Sequence, residues 1–245
     1  MDPQTQPIEL LYWPTPNGWK VPIALEEMGL PYVLRRVDLY SGEQHRPEFR
    51  SVNPHGKIPA IVDPEGPGAA PITVFESAAI LQYLGRKTGL LYPADPRTRC
   101  AIDQWMIWQA ANLGPVSAQL AYFLHVAPKT VENADALSFA SRKYAADLAT
   151  LYTALDRRLS DREYLVDDYS LADIMCWPGV TRYAIHGLRL DDYPYVRAWL
   201  ERIAARPAVQ RGAFAGYEWD PSRRGMSPQA YELLTGRARE ESINP

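Results

Sequence analysis

Cysteine is scarce in this 245-residue chain: Cys100 and Cys176 are far apart and form no CxxC pair. That argues against a disulfide framework and a cysteine zinc site, so no metal is expected and a reducing cytoplasm is the expected setting. No run approaches the roughly 20 apolar residues of a membrane span. The start, Met1 to Pro7, is polar and lacks the basic-then-apolar pattern of a secretory leader. Basic residues are not in excess either. Lys and Arg number 26 against 29 Asp and Glu, a formal charge of -3, so neither nucleic acid nor an anionic membrane is expected as a partner. Internal repeats and low-complexity tracts are also missing. What is present is ordinary for a globular protein, with 47% hydrophobic and 22% charged residues. The 22 prolines are scattered at turns.

The pattern divides the chain in two. Ile8 to Trp13 reads as a buried strand stopped by Pro14. From about Asn17, Val21, Ala24, Leu25 and Met28 follow helical spacing, with Gly29 as C-cap. Tyr32 to Asp38, Ile58 to Val62 and Ile72 to Phe75 read as strands, with a Pro/Gly-rich turn over Asp63 to Pro71. Ser77 to Lys87 carries the stripe Ile80, Leu81, Leu84. The order βαβ then ββα predicts a parallel pair followed by an antiparallel hairpin. After Tyr92-Pro93-Ala94-Asp95-Pro96 no convincing strand remains, and helical patterns cover roughly 97–125, 131–159, 170–186 and 193–205. Ser170-Leu171-Ala172-Asp173 is a capping box with Asp in place of Glu, a helix start with a structural role. Cys100 and Cys176 both fall in helical segments and are expected to be buried. The expected domains are 1–90 and 98–212, joined by a linker over 91–97. The tail, 213–245, carries Phe214, Tyr217 and Trp219 and is a possible cover for the active site.

Two short segments carry chemistry. Ile58-Pro59 precedes a short β-run and is a candidate cis peptide, because only X-Pro bonds make cis cheap. In that form the Ile58 N–H and C=O turn off the sheet and can pair with an extended peptide. A plain edge-strand proline is the alternative. In Phe75-Glu76-Ser77-Ala78 a strand runs straight into a helix. Free amides at Ser77 suit a carboxylate, and Glu76 suits an ammonium. The alternative is an ordinary N-cap serine preceded by an acid. Lys57, with Gln44 or His55, can meet a second carboxylate. The strip then reads amino acid, peptide, carboxylate, which is the layout of glutathione.

These segments resemble a known family. "NPHGKIPAIVD", "FESAAILQYL" and "YSLADI" are similar, in order and spacing, to motifs of the cytosolic glutathione transferases, and the likeness covers about nine-tenths of the chain. "PTPNGWKVPIALEE", "EQHRPEFRSVNPHGKIPAIVD", "QWMIWQAANLGP" and "HVAPKT" are similar to the bacterial nu class, which is related to the yeast nitrogen regulator with a transferase fold. The resemblance implies an α/β thioredoxin-like N-terminal domain and an all-α C-terminal domain. It implies glutathione as co-substrate, held by Gln44, Lys57, Ile58, Pro59, Glu76 and Ser77, with Thr15 and Asn17 near the sulfur. It also implies a homodimer in which a basic residue of the neighbouring subunit reaches the peptide. Lys143, beside Arg142, stands where that class has arginine.

A thiol of pKa about 8.5 is mostly protonated at neutral pH, so an enzyme gains by stabilising its anion. Tyr12-Trp13-Pro14-Thr15-Pro16-Asn17-Gly18 contains no Ser or Cys for that task. Thr15 Oγ and the Asn17 side chain or amide are the candidate donors, with Tyr12 as rival. Neither Thr15 nor Asn17 is a base near neutrality, so the role is stabilisation of a thiolate. The resemblance implies glutathione-dependent disulfide reduction, with glutathione or oxidised glutathione and a small electrophile or disulfide as ligands. Conjugation and organic peroxide reduction are possible side activities. Trp13, Leu113, Pro115, Gln119, Tyr122 and Phe123 are candidates for the second-substrate wall, although core packing is the plainer role for the aromatic ones. Rival readings on the same fold are a β-etherase or dehalogenase, and a non-enzymatic regulator that keeps glutathione binding.

Overall fold

The computed structural model describes residues 6–219. The chain forms two compact units. The first comprises the described residues up to Arg99 together with those from Arg206 onward, and the second comprises Cys100–Ala205.

The first unit is built on a four-stranded sheet. Strand β1 (Ile8–Tyr12) leads into helix α1 (Pro16–Met28) and returns as the parallel β2 (Tyr32–Arg36). A short helix, α2 (Pro47–Val52), precedes β3 (Ala60–Asp63), which runs antiparallel to β1. Strand β4 (Ile72–Phe75) is antiparallel to β3 and feeds α3 (Ser77–Thr88), giving the order β2-β1-β3-β4. This is the thioredoxin-like arrangement expected from the βαβ, ββα pattern. Helix α2 was not expected because only Phe49 in it is buried, so it carries no periodic stripe. Leu10, Ile61, Ile80, Leu81 and Leu84 form the centre of the core between sheet and helices.

The second unit is helical. It contains most of α4 (Pro96–Trp108), a π-helical segment (Gln109–Leu113), α5 (Gly114–His125), α6 (Ala134–Leu159), α7 (Leu171–Val180) and α8 (Pro194–Ala204). Helix α5 packs on α6, and α8 on both α6 and α7. Leu148, Tyr152, Leu155, Trp177, Trp199 and Leu200 are fully buried there. The capping box at the start of α7 is formed. Asp173 accepts from the Ser170 N–H at 3.0 Å, while Ser170 Oγ accepts from the Ala172 N–H at 3.3 Å. Asp173 also accepts from the Leu165 N–H at 3.0 Å and from Trp199 Nε1 at 2.9 Å. One carboxylate thus ties together a loop and two helices.

The helical pattern over 97–125 is borne out, with a π-helical turn at Gln109–Leu113 joining α4 to α5. Two expectations are corrected. The helix over 170–186 stops at Val180, two residues after Pro178, and a 3-10 turn (Tyr183–His186) follows. Cys100 is exposed, not buried. The apolar face of α4 is set by Ile102 and Met106, one turn apart, and helical spacing puts Cys100 on the other side.

The compact units also divide the chain differently from the expected boundary at residue 212. Helix α9 (Pro207–Phe214), not foreseen, packs on α1 within the first unit. Arg206 makes a forked pair with Glu27 (2.6 and 2.9 Å), and Arg211 pairs with Glu26 at 2.6 Å. Sandwiched among sheet, α3 and α9, α1 is buried at every position from Gly18 to Leu25.

Candidate functional site

The register of the sheet determines which segments meet. Leu11 is opposite Ala60, and Ala60 is opposite Phe75, so the chain leaves β1, enters β3 and leaves β4 at one end of the sheet. Parallel pairing sets Arg36 beside Tyr12, which brings the start of the Val37–His45 segment to the same end. Thr15, Ile58-Pro59 and Glu76-Ser77 lie immediately beyond these strand ends. Residues spread over sixty positions are therefore gathered at one edge.

The loop before β3 is braced by Asn53. Its buried side chain donates to the Lys57 carbonyl at 2.6 Å and accepts from the His55 N–H at 3.0 Å, while its carbonyl accepts from the Gly56 N–H at 3.0 Å. Gly56 has φ of 70°, and a β-carbon there would come within 3.0 Å of the Gln44 carbonyl oxygen. That close approach carries Gln44 to the loop that bears Lys57. The Ile58-Pro59 bond is cis. Ile58 makes no backbone hydrogen bond to a described residue, so its N–H and C=O are both available. Lys57 and His55 are exposed, and Lys57 has no ion-pair partner among the described residues. Gln44 Oε1 is buried without a hydrogen-bond partner, a polar atom the protein alone leaves unsatisfied.

At the other side, Glu76 is the N-cap residue of α3 and Ser77 its first helical residue, so the cap is one position earlier than a serine cap would put it. Glu76 holds φ of 69° and ψ of 117°, a conformation costly for a residue with a side chain. Its carboxylate is exposed and makes no cap bond or ion pair with a described residue. The first amides of α3 follow directly, with the positive end of the helix.

Thr15 is the N-cap of α1. Its Oγ1 accepts from the Gly18 N–H at 3.2 Å, and its hydroxyl hydrogen has no acceptor among the described residues. Asn17 is exposed in the first turn, where its backbone N–H has no intrahelical acceptor. Tyr12 differs. It is fully buried, and its hydroxyl donates to the Ala215 carbonyl at 3.1 Å.

The second-substrate candidates fall in both units. In the first, Trp13 stacks on Trp219 at 6.5 Å, meets Tyr40 edge-on at 5.6 Å and lies 5.4 Å under the Arg36 guanidinium. In the second, Leu113 is buried, while Pro115 and Gln119 are exposed on α5. Tyr122 meets Phe123 edge-on at 5.4 Å, and Phe123 stacks on Tyr144 at 5.6 Å. Lys143 projects from α6 and is ion-paired with Asp147 one turn on. Of the expected tail, Asp220 to Pro245 lies outside the described residues. Sequence reasoning missed Asn53 as the brace of the loop, although Asn-Pro-x-Gly is a readable turn signal. Tyr40 and Trp219 beside Trp13 carried no local signal. Among the described residues no group of three or more His, Cys, Asp or Glu could hold a metal ion, and no helix is long and apolar enough to cross a membrane.

Two family models match the chain: "Glutathione S-transferase, N-terminal domain" over residues 15–87 and "Glutathione S-transferase, C-terminal domain" over 138–207. The chain is 44% identical over 204 residues to the disulfide-bond oxidoreductase YfcG of Escherichia coli, covering 82% of this chain and 92% of that protein. It is similar to a glutathione transferase of Pseudomonas putida solved with one glutathione disulfide bound per subunit. There the TM-score is 0.81 and the identity 37%, over 87% of this chain and 94% of that one. A glutathione transferase of Burkholderia graminis, solved with two glutathione molecules per subunit, matches with a TM-score of 0.80 and 40% identity, over 86% and 88% of the two chains.

Proposed function

The chain belongs to the glutathione S-transferase family, and from that premise we propose that it binds glutathione along the strip from Gln44 to Ser77 and reduces disulfides with it. The observation that carries the reading is the state of Thr15. Its oxygen is occupied by the Gly18 amide, which leaves the hydroxyl hydrogen for a sulfur anion beside the N-terminus of α1. The Asn17 amide in the same turn adds a second donor.

The donors along the strip fit the tripeptide in order. Glu76 takes the γ-glutamyl ammonium, and the amides after it take the adjoining carboxylate. The N–H and C=O of Ile58, presented before Pro59, pair with the peptide in the manner of an added strand. Lys57 takes the glycine carboxylate, with the Gln44 side-chain NH2 as a second donor. Thr15 and Asn17 stabilise the thiolate and do not remove its proton.

The chemistry needs no protein cysteine. A glutathione thiolate attacks one sulfur of a disulfide RSSR, forming the mixed disulfide and releasing one thiolate, which is protonated. A second glutathione attacks the mixed disulfide, giving oxidised glutathione and the second thiol. In support, Cys100 and Cys176 both lie outside the unit that holds Thr15, and a relative is named for disulfide-bond oxidoreduction. Two free cysteines also suit a cytoplasmic setting. Conjugation to electrophiles and reduction of organic peroxides belong to the proposal as secondary activities of the same thiolate.

We extend the proposal to a homodimer in which Lys143 of one subunit serves the other's glutathione. Apolar side chains offered to solvent by α4 and α6, Ile107 at 60% and Phe139 at 70% exposure, support a partner on that unit. The test is retention on immobilised glutathione followed by turnover of bis(2-hydroxyethyl) disulfide with glutathione. Binding without turnover of this disulfide, of cumene hydroperoxide or of an aryl halide would overturn the enzymatic reading.

A further inference from the structure

The chain after α9 packs on the turn that bears Thr15, and the glutathione strip makes no use of it. Helix α9 is fastened to α1 by the ion pairs of Arg206 with Glu27 and of Arg211 with Glu26. The chain then bends at Gly216, with φ of 63°, into the 3-10 turn Tyr217–Trp219. The Trp219 N–H donates to the Gly216 carbonyl at 3.1 Å. This bend brings the Trp219 ring to 6.1 Å from the Tyr12 ring and stacks it on Trp13 at 6.5 Å, with 26° between the planes.

Two glycines let this packing reach the cap of α1. A β-carbon at Gly18 would come within 2.9 Å of Cε2 of Tyr12 and within 2.3 Å of the Trp13 carbonyl oxygen. A β-carbon at Gly216 would come within 3.1 Å of Cε1 of the same tyrosine and within 2.9 Å of the Trp219 ring. The Tyr12 ring is thus a spacer. One of its edges meets the residue whose N–H occupies Thr15 Oγ1, and the opposite edge meets the bend.

Trp13 makes the second connection. It is buried, and its carbonyl accepts from the Thr15 N–H at 2.8 Å. Trp219 lies nearly parallel to its ring, whereas the exposed Tyr40 meets it edge-on. Both groups that fix Thr15, the Gly18 amide and the Trp13 carbonyl, are therefore seated against rings that Trp219 and Gly216 touch. A hydrogen-bond donor to a developing or stabilised anion acts through its position, and about 1 Å of misplacement can cost a hundredfold in rate.

We infer that Trp219, seated by the bend at Gly216, is a positioning residue for Thr15, holding Tyr12 and Trp13 so that the Thr15 hydroxyl stays aimed at the glutathione sulfur. The inference rests on the reading of Thr15 as the donor to that sulfur.

The test follows the ultraviolet absorbance of the thiolate of glutathione bound to the full-length protein as pH is varied, beside turnover of bis(2-hydroxyethyl) disulfide. In the wild type the bound thiol should titrate below the ordinary value of about 8.5. Trp219→Ala and Gly216→Ala should each raise that midpoint by about one pH unit and lower kcat about tenfold. The KM for glutathione should stay within about threefold, because the strip from Gln44 to Ser77 is untouched. Trp219→Phe keeps an aromatic ring against Trp13 and should recover most of both losses. A Trp219→Ala protein that loses only thermal stability, with titration and kcat unmoved, overturns the inference and leaves the role of Thr15 standing. A wild-type thiol that titrates like free glutathione overturns the reading of Thr15 and the inference together. Should Trp219→Ala fail to fold, Trp219→Leu takes its place with the same outcomes.

Discussion

The hydroxyl of Tyr12 donates to the carbonyl oxygen of Ala215 at 3.1 Å, across 203 residues of chain. Tyr12 ends the first strand, beside the turn that bears Thr15. Buried and bonded in this way, its phenol holds the return of the chain after α9, and the free hydroxyl hydrogen next to the turn belongs to Thr15.

The two residues should therefore separate cleanly. Thr15→Ala is expected to lower disulfide turnover by about ten- to a hundredfold, the scale of one lost anion donor, with glutathione affinity changed less. Thr15→Ser should restore most of the rate because it keeps both the hydroxyl and the cap. Tyr12→Phe should leave the rate within about threefold and cost about 1 kcal/mol of stability. Steady-state kinetics beside urea unfolding would check this, and a rate that follows Tyr12 would refute the assignment.

Glu76 sits at positive φ with an exposed carboxylate. Replacing it by glycine removes the steric cost of that backbone, so Glu76→Gly should raise the unfolding free energy by about 1 kcal/mol. The same change removes the proposed ammonium partner and should weaken glutathione binding about tenfold or more. Calorimetry would show stability and affinity moving in opposite directions. Affinity unchanged in a stabilised variant would exclude Glu76 from the site.

Asp173 and His186 should oppose each other in acid. Burial pushes the Asp173 carboxyl up to about 6 despite the hydrogen bonds it accepts from Leu165, Trp199 and Ser170. A raised carboxyl makes the folded state bind the proton earlier, so its contribution is present below about pH 4 and fades as pH rises through about 6. Burial, reinforced by Arg182 and His125, holds His186 down to about 4. Its contribution is present above about pH 6.5 and is lost as pH falls toward 4. Each shift amounts to about 3 kcal/mol. Between pH 6.5 and 4, urea unfolding of His186→Phe should therefore gain stability relative to wild type as pH falls, and that of Asp173→Asn should lose it. Parallel profiles for the two variants would contradict both assignments.

Gly212 lies within α9, where helix propensity favours alanine by about 1 kcal/mol. A β-carbon at this position would come within 2.5 Å of the Ile23 backbone on α1. Gly212→Ala should therefore destabilise the protein by about 2 kcal/mol or more, with α9 lifting from α1. Denaturant titration checks the sign, and a stabilised variant would show that the contact yields readily.

Much of the candidate site's local structure was legible because its signals are local. Asn53 to Pro59 is a turn followed by an X-Pro bond, and Phe75 to Ser77 is a strand meeting a helix. Such features depend on neighbours within a few residues, and the structure has both a cis bond at Pro59 and a helix beginning at Ser77. The capping box at Ser170 was readable for the same reason. Its further bonds to Leu165 and Trp199 were not, because those residues reach Asp173 only through packing. Helix α2 gave no stripe, and α9 was lost at the edge of the helical pattern.

The sequence by itself determined the alternation of strands and helices, the X-Pro bond before β3, the strand-helix junction at Glu76-Ser77 and the lack of a Ser or Cys beside Thr15. Each follows from residue type and spacing within a turn or a strand. Only the tertiary structure decided that Tyr12 is spent on Ala215, that α9 returns to α1 against Gly212, and that α5 packs on the turn that bears His186. Those relations join residues brought together by strand register and helix packing, and no local pattern encodes a contact whose partner arrives from elsewhere in the chain.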